Sequence, residues 1–130
     1  MRLLLDTHVW LWWMMGSARL APPARAAIAD PANEPLVSAA SILELLEKAR
    51  AGILPGLQRL TADIESEIDE ERFGRLPITT EHAARAETLA GAHDDLFDRL
   101  LIAQALIENV ELVSSERRFD AFGVRRLWEG

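Results

Sequence analysis

Residues 1–16 read MRLLLDTHVWLWWMMG, and their pattern indicates the fold class of the chain. Residues 3–5 form a short apolar run that ends at Asp6, which is typical of a strand buried on both faces. Residues 9–15 are predicted to form a helix, with Asp6 or Thr7 near its N-cap. A buried strand, an acidic residue and a helix in direct succession are typical of α/β proteins, whose ligands bind beyond the carboxyl ends of the strands.

The same stretch is apolar, but its pattern is not that of a signal peptide or a membrane span. Asp6 and His8 interrupt it, no small-residue cleavage pattern follows, and it is too short to cross a bilayer. The chain contains no cysteine, which excludes a disulfide scaffold, a thiolate zinc site and a cysteine nucleophile. We therefore expect a cytoplasmic protein without a membrane segment.

The net charge of −7 limits the kinds of nucleic-acid binding to expect. Acidic proteins do not usually bind phosphates over a broad surface, which argues against a simple RNA-binding module. A metal-dependent nuclease is less affected, because bound divalent cations reverse the local charge. Much of the acidic excess lies within residues 63–71, whose six acidic side chains are predicted to form a solvated helix face.

The rest of the chain alternates between strand and helix patterns, without an internal repeat or a long linker. Further strands are predicted at residues 36–38, 73–78, 111–114 and 124–127. Further helices are predicted at residues 22–30, 41–51, 57–71, 80–90 and 96–108. We therefore expect an α/β fold in one domain over residues 1–130, with a mostly parallel sheet of four to five strands covered by helices on both faces.

Four acidic side chains, each near a strand end or a helix start, are candidates for one site: Asp6, Glu44, Asp98 and Glu116. The carboxyl ends of parallel strands meet at one edge of a sheet, so these acids are expected to converge there. Several carboxylates in one place repel one another and, without a cation, some would have to take up protons. Mg²⁺ or Mn²⁺ removes this penalty, and the pattern predicts a metal site held by Asp6, Glu44 and Asp98.

Each of these acids also has a purely structural interpretation. Asp6 can cap the helix that follows it, and Glu44 can be the capping-box partner of Ser41. Asp98 can interact with the helix dipole from the first turn of its helix, and Glu116 can be an exposed loop acid. The residues alone leave both interpretations open for each acid.

Four further side chains can support the site, namely Asp95, Ser114, Lys48 and Thr7. Asp95 is a helix cap or a reserve metal ligand, since it lies three residues before Asp98. Lys48 can pair with Glu44, four residues earlier, or reach a phosphate. Ser114 can orient a water on the metal or cap the next turn, and Thr7 adjoins Asp6.

The aromatic side chains near the predicted site are assigned structural roles. His8 and His93 are expected to be packed or hydrogen-bonded rather than catalytic. Three tryptophans follow helical spacing and are expected in the core or in a dimer contact, namely Trp10, Trp12 and Trp13.

Four blocks of the chain follow one another in an order that has a counterpart in a known family. They read LLLDTHVWLWW, VSAASILELLEKARAGIL, HDDLFDRLLIAQALIEN and ELVSSERRFDAFGVRRLW. Together they resemble PIN-domain toxins of the VapC type. The resemblance runs over nearly the whole chain, and its most specific parts are the first block and FDRLLIAQA within the third.

This resemblance implies a PIN-like three-layer α/β/α sandwich that acts as the toxin of a type II toxin–antitoxin system. The implied activity is hydrolysis of RNA phosphodiester bonds by an endoribonuclease that depends on Mg²⁺ or Mn²⁺. Its acids match Asp6, Glu44, Asp98 and Glu116 in this chain. The resemblance also implies a homodimer and a cognate VapB-like antitoxin that wraps the toxin and obstructs the site.

The chain departs from the family pattern at two positions. Leu96 stands where the family often has proline, which is expected to affect the start of the helix more than the chemistry. Glu116 stands where the family usually has aspartate. Its longer side chain is expected to bind through water or to shift a second ion.

Two other functions are alternatives to the nuclease. A catalytically weak PIN-like module that binds RNA or a protein partner is the alternative that the acidic surface and Glu116 favour. A phosphotransferase with Asp6 as nucleophile is disfavoured, because His8 stands where such enzymes usually carry a second aspartate.

Overall fold

Strands and helices alternate through residues 1–53 and 56–129, which are the residues described by the computed structural model. The strands in these ranges are β1 (Arg2–Leu5), β2 (Glu34–Ser38), β3 (Gly74–Leu76), β4 (Glu111–Val113) and β5 (Arg126–Leu127). The helices are α1 (Thr7–Met15), α2 (Pro22–Ala29), α3 (Ala39–Arg50), α4 (Leu57–Thr61), α5 (Ile64–Glu70), α6 (Thr80–Glu87) and α7 (Leu96–Glu108), with a 3₁₀ helix at Arg117–Phe122. None of these helices is long and apolar enough to cross a membrane.

The five strands of the described ranges form one sheet in the order β3-β2-β1-β4-β5, and every neighbouring pair is parallel. β1 is central: Leu3 pairs with Pro35 of β2 on one side and with Glu111 of β4 on the other. A connection between parallel strands must cross a face of the sheet, which is why helices cover it. The predicted α/β class and the mostly parallel sheet of four to five strands are confirmed.

The apolar core lies on both faces of the sheet, because successive side chains of β1 point to opposite sides. Leu3 and Leu5 are fully buried on one face, where they belong to the same cluster as Trp10 of α1. Leu4 is fully buried on the other face, in a cluster with Leu101 of α7. The arrangement is the predicted sandwich of helices, sheet and helices.

The tryptophans of α1 pack against the body of the protein. Trp10 is fully buried, whereas Trp12 and Trp13 are partly buried against the same core. The Trp13 Nε1 donates a hydrogen bond of 3.0 Å to Glu71, and the ring centroid of Trp12 lies 5.8 Å from that of Trp128. The predicted core role is confirmed for Trp10, and a dimer contact by the other two stays a prediction.

The single helix predicted over residues 57–71 is wrong, because the chain forms α4 and α5 with a break between them. The Thr61 hydroxyl donates to the Leu57 carbonyl at 2.9 Å, and the Asp63 carboxylate accepts from the Ser66 N–H at 3.2 Å. A side chain that caps a new helix competes with continuation of the old one. Because Asp63 lies in a run of acidic residues, its role as a helix cap could not be recognised from the sequence alone.

The other predicted elements are present, with ends that differ by a few residues, as helix and strand boundaries commonly do. The predicted helix at residues 9–15 begins earlier, at Thr7, and the one at residues 41–51 begins at Ala39. The predicted strand at residues 73–78 is shorter and covers Gly74–Leu76. These shifts leave the order of the elements as predicted.

Candidate functional site

Asp6 lies at the carboxyl end of the central strand, between β1 and α1. It is 3% exposed, and its Oδ2 accepts a hydrogen bond of 2.7 Å from the Ser114 hydroxyl. Its backbone occupies the N-cap position of α1, but its carboxylate accepts no hydrogen bond from that helix. The interpretation of its side chain as a helix cap is therefore wrong.

Ser114 fixes the Asp6 carboxylate from the neighbouring strand. It directly follows β4 and is fully buried. Its hydroxyl donates to Asp6 and accepts from the Glu116 N–H at 3.0 Å, which is the predicted capping of the next turn. Ser114 thereby ties the ends of β1 and β4 together and uses its hydroxyl proton to orient Asp6.

The capping box predicted for Ser41 and Glu44 is wrong. The N-cap of α3 is Ser38, whose hydroxyl accepts from the Ala40 N–H at 3.0 Å. Ser41 lies inside the helix, and its hydroxyl accepts a hydrogen bond of 2.8 Å from that of Thr7. Glu44 is therefore in the second turn rather than the first, with no capping role.

Glu44 stays close to the sheet edge despite this shift. It is 9% exposed, and its Oε2 lies 3.3 Å from the Lys48 Nζ one helical turn further on. This ion pair is one of the two roles predicted for Lys48. The hydrogen bond between Thr7 and Ser41 joins α1 to α3 beside it, so Thr7 supports the placement of Asp6 relative to Glu44.

Asp98 is held by groups before and after it in the chain. Asp95 is the N-cap of α7, as predicted, and accepts from the Asp98 N–H at 3.0 Å. The Asp98 Oδ2 lies 3.0 Å from the Nε2 of His93 and 3.5 Å from the Nη2 of Arg118. His93 is buried, and its ring meets that of Phe119 edge-on. His93 is hydrogen-bonded and packed, as predicted.

Glu116 is the most exposed of the four acids, with 41% of its side chain accessible. Its Oε2 lies 3.4 Å from the Nε of Arg118, which also pairs with Asp98. Arg118 was not among the sequence candidates. Spacing rules relate residues on one helix face, and none of them connects Arg118 to Asp98, twenty positions earlier in the chain.

Three of the predicted acids interact electrostatically. Burial, helped by the charges of Asp98 and Glu44, raises the pKa of Asp6 to about 6, although the Ser114 hydrogen bond and His8 oppose the shift. Burial also raises the pKa of Asp98, and the charges of Asp95 and Glu44 add to this, although the hydrogen bond and charge of His93 oppose it. The fold therefore places Asp6, Glu44 and Asp98 in one region of negative charge.

The donor chemistry of this region fits a hydrated divalent cation. Within residues 1–53 and 56–129, no group of three or more His, Asp and Glu side chains is placed to hold a metal ion by itself. Mg²⁺ keeps several waters and is usually bound by one or two carboxylates plus the phosphates of a substrate. The Asp6 and Asp98 carboxylates, whose pKa values burial raises, suit such an ion, which would keep waters as its remaining ligands.

The hydrogen bond from His93 gives a test of how Asp98 is oriented. We expect His93→Phe, which preserves the ring packing on Phe119, to weaken Mg²⁺ binding about tenfold, because the carboxylate loses its fixed partner. His93→Gln places an amide donor near the Nε2 position and should recover part of the affinity. Calorimetric titration with Mg²⁺ measures both, and equal affinities of the two variants would contradict this role.

A cavity adjoins the acidic region between the segment before α7 and the 3₁₀ helix. Its volume is about 660 Å³, and it is lined by His93, Asp94, Asp95, Arg118 and Phe122, among others. Two of the residues that contact Asp98, His93 and Arg118, therefore also face this space. The cavity is large enough for a small ligand next to the carboxylates.

Known structures share this fold over almost their whole length, at low sequence identity. A chain of DNA-bound VapBC from Salmonella typhimurium aligns with a TM-score of 0.74 and 19% identity, covering 98% of this chain and 97% of that one. VapBC2 from Rickettsia felis, bound to a promoter DNA fragment, gives 0.73 and 12%, with 98% of each chain covered. VapBC-1 from nontypeable Haemophilus influenzae gives 0.71 and 16%, with 98% and 97% covered.

Sequence comparison identifies the family directly. No curated protein matches the chain. The family model for the PIN domain matches residues 3–124, a range that includes all four candidate acids. The chain belongs to the PIN-domain family.

Proposed function

We propose that the protein is a metal-dependent endoribonuclease that acts as the toxin of a type II toxin–antitoxin system. The observation that carries the proposal is the burial of Asp6 and Asp98 near the carboxyl edge of the sheet, where burial first and the charge of Glu44 in addition raise the pKa of both. Buried carboxylates with raised pKa values are destabilising by themselves, and such groups are typical of functional sites. The PIN family match supports nucleic acid as the substrate class.

The residues that would hold Mg²⁺ or Mn²⁺ are Asp6, Glu44 and Asp98, directly or through waters. When bound, the ion supplies Lewis acidity and stabilises the charge that develops at the attacked phosphate. Ser114 keeps the Asp6 carboxylate in one orientation, and its own burial keeps bulk water away from that bond. The hydrogen bond from His93 orients the Asp98 carboxylate.

The reaction proposed is hydrolysis of an RNA phosphodiester. A water positioned by the carboxylates, with Ser114 orienting Asp6, attacks the phosphorus in line with the departing 3′ oxygen. One P–O bond forms and one breaks, which leaves a 5′ phosphate and a 3′ hydroxyl. Glu116 is the outermost acid and is proposed to act through water rather than as a direct ligand, in keeping with its exposure.

A VapB-like antitoxin is the proposed partner, and a homodimer is the proposed assembly. The similar solved structures include VapBC complexes from three bacteria, two of them bound to DNA. They support a partner that binds this fold and also binds DNA. RNA as the substrate implies action in the cytoplasm.

A catalytically weak module that binds RNA or a protein is the second candidate. The observation in its favour is that no three acidic or histidine side chains in the described part of the chain hold a metal ion unaided. Calorimetry separates the two candidates, since the nuclease must bind Mg²⁺ and the binding module need not.

Sequencing of RNA ends after expression tests the proposed activity. Cells that express the wild type should accumulate new RNA 5′ ends bearing a phosphate, and cells that express Asp98→Asn should not. Purified wild type should cut the same RNA with Mg²⁺ and stop when EDTA is added. Cleavage that survives both EDTA and the substitution would disprove a metal-dependent reaction at this site.

A further inference from the structure

Arg118 carries a positive charge among the acids of the site, although they are expected to bind a metal ion. It lies on the 3₁₀ helix at Arg117–Phe122, with its Nη2 3.5 Å from Asp98 and its Nε 3.4 Å from Glu116. Its side chain is 61% exposed, and exposed ion pairs of this kind contribute little to stability. The Arg118 guanidinium can therefore move away from Asp98 and Glu116 at a small cost in free energy when a divalent cation neutralises these carboxylates instead.

The cavity of about 660 Å³ beside Asp98 is where a released Arg118 would act. Its wall includes Arg118, Ala121 and Phe122 of the 3₁₀ helix together with Asp94 and Asp95 from the segment before α7. A nucleobase combines an apolar ring face with hydrogen-bonding edges, so a wall that is part apolar and part polar suits it. A guanidinium at the same wall suits the attached phosphate, because its planar donors match phosphate oxygens.

We propose that this cavity binds one nucleotide of the RNA substrate, and that Arg118 exchanges Asp98 for the phosphate of that nucleotide when a metal ion binds. The inference rests on the proposed RNA cleavage and adds to it a site for the nucleotide next to the cut. It also gives an acidic protein a local cation for an anionic substrate. In the metal-free protein the same cation partly neutralises the acids.

The proposed exchange predicts that Arg118→Ala changes the affinity for Mg²⁺ and the affinity for RNA in opposite directions. Mg²⁺ affinity should rise about two- to fivefold, because a competing cation is removed from Asp98. Affinity for a labelled single-stranded RNA should fall about fivefold, and the slope of log affinity against log salt should decrease by about 0.7, the value for one phosphate contact on a single strand. Calorimetry measures the first effect and fluorescence anisotropy the second. In the anisotropy experiment Ca²⁺ replaces Mg²⁺, since its longer bonds to oxygen disturb the geometry of cleavage.

Two further variants make the test specific. Arg117→Ala removes a neighbouring charge that is 83% exposed and pairs with Glu129 instead of the site acids, so both affinities should stay at the wild-type level. Ala121→Trp fills the cavity from an exposed position. It should weaken RNA binding as much as Arg118→Ala does and leave Mg²⁺ affinity unchanged.

The outcomes separate this inference from the proposed activity. If the wild type cleaves RNA but Arg118→Ala binds RNA and Mg²⁺ like the wild type, only the nucleotide site is overturned. RNA binding that is normal in Ala121→Trp would likewise overturn it. If the affinity shifts occur as expected and the wild type cleaves no RNA in Mg²⁺, the nucleotide site stands and the nuclease proposal fails.

Discussion

Asp6→Asn is expected to lower the rate of Mg²⁺-supported RNA cleavage about 100-fold or more. Asparagine has nearly the shape of aspartate and can still accept the hydrogen bond from Ser114, so the fold around it should persist. What is lost is the negative charge of a proposed metal ligand. Single-turnover cleavage of a labelled RNA measures the rate.

The matched control for this prediction is Asp69→Asn. Asp69 is an exposed acid of α5 that pairs with Arg75 at 2.9 Å, and it is not part of the acidic site. Its replacement makes the same chemical change on the surface and should leave cleavage within twofold, roughly the effect of an exposed ion pair. Equal activity of Asp6→Asn and the wild type would remove Asp6 from the metal site.

The same Asp6→Asn substitution is expected to stabilise the metal-free protein by about 2–3 kcal/mol at neutral pH. The pKa of Asp6 is raised from 3.8 to about 6 in the folded protein, so folding disfavours its charged form. Each pKa unit corresponds to about 1.4 kcal/mol, and the cost is present in full above the folded pKa. This free-energy cost decreases as the pH falls through the pKa of the folded state. It disappears below the pKa of the unfolded state, where Asp6 is protonated in both states.

Urea unfolding in EDTA measures this effect. The variant should be the more stable protein at about pH 7.5, and the difference should be nearly absent at about pH 3, below the unfolded pKa. Addition of Mg²⁺ should reverse the order at about pH 7.5, because only the wild type gains stability from binding the ion. A variant that is less stable than the wild type in EDTA at neutral pH would show that Asp6 is not held in an unfavourable charged state.

Much of the fold follows from local patterns in the chain. The apolar run that ends at Asp6 identifies a buried strand, and the strands and helices that follow occur in the predicted order. One error occurs where two nearby residues can both cap a helix. Ser38 rather than Ser41 caps α3, and the Ser38 hydroxyl also donates to Gln104 at 2.6 Å. That partner lies 66 positions away, so the choice depends on tertiary contacts that no local pattern contains.

The candidate site was only partly predictable, for the same physical reason. Asp6, Glu44 and Asp98 could be selected because each lies near a strand end or a helix start, and the charge of Glu44 contributes to the raised pKa of both Asp6 and Asp98. The groups that orient them come from distant parts of the chain and follow no spacing rule. Arg118 is such a group, and its contact with Asp98 depends on how the 3₁₀ helix packs beside α7. The metal-binding roles of the acids stay predictions.

The position of β1 in the sheet sets the order in which the site can be completed during synthesis. The hydrogen bond between Asp6 and Ser114 joins residues 108 positions apart, and β1 gains its second neighbour only when β4 pairs with it. In a nascent chain that ends before β4, one edge of the central strand β1 is therefore unpaired. The Asp6 carboxylate then lacks its hydrogen bond from Ser114. The proposed RNA cleavage therefore requires synthesis of the chain through β4 and Ser114 before it can begin.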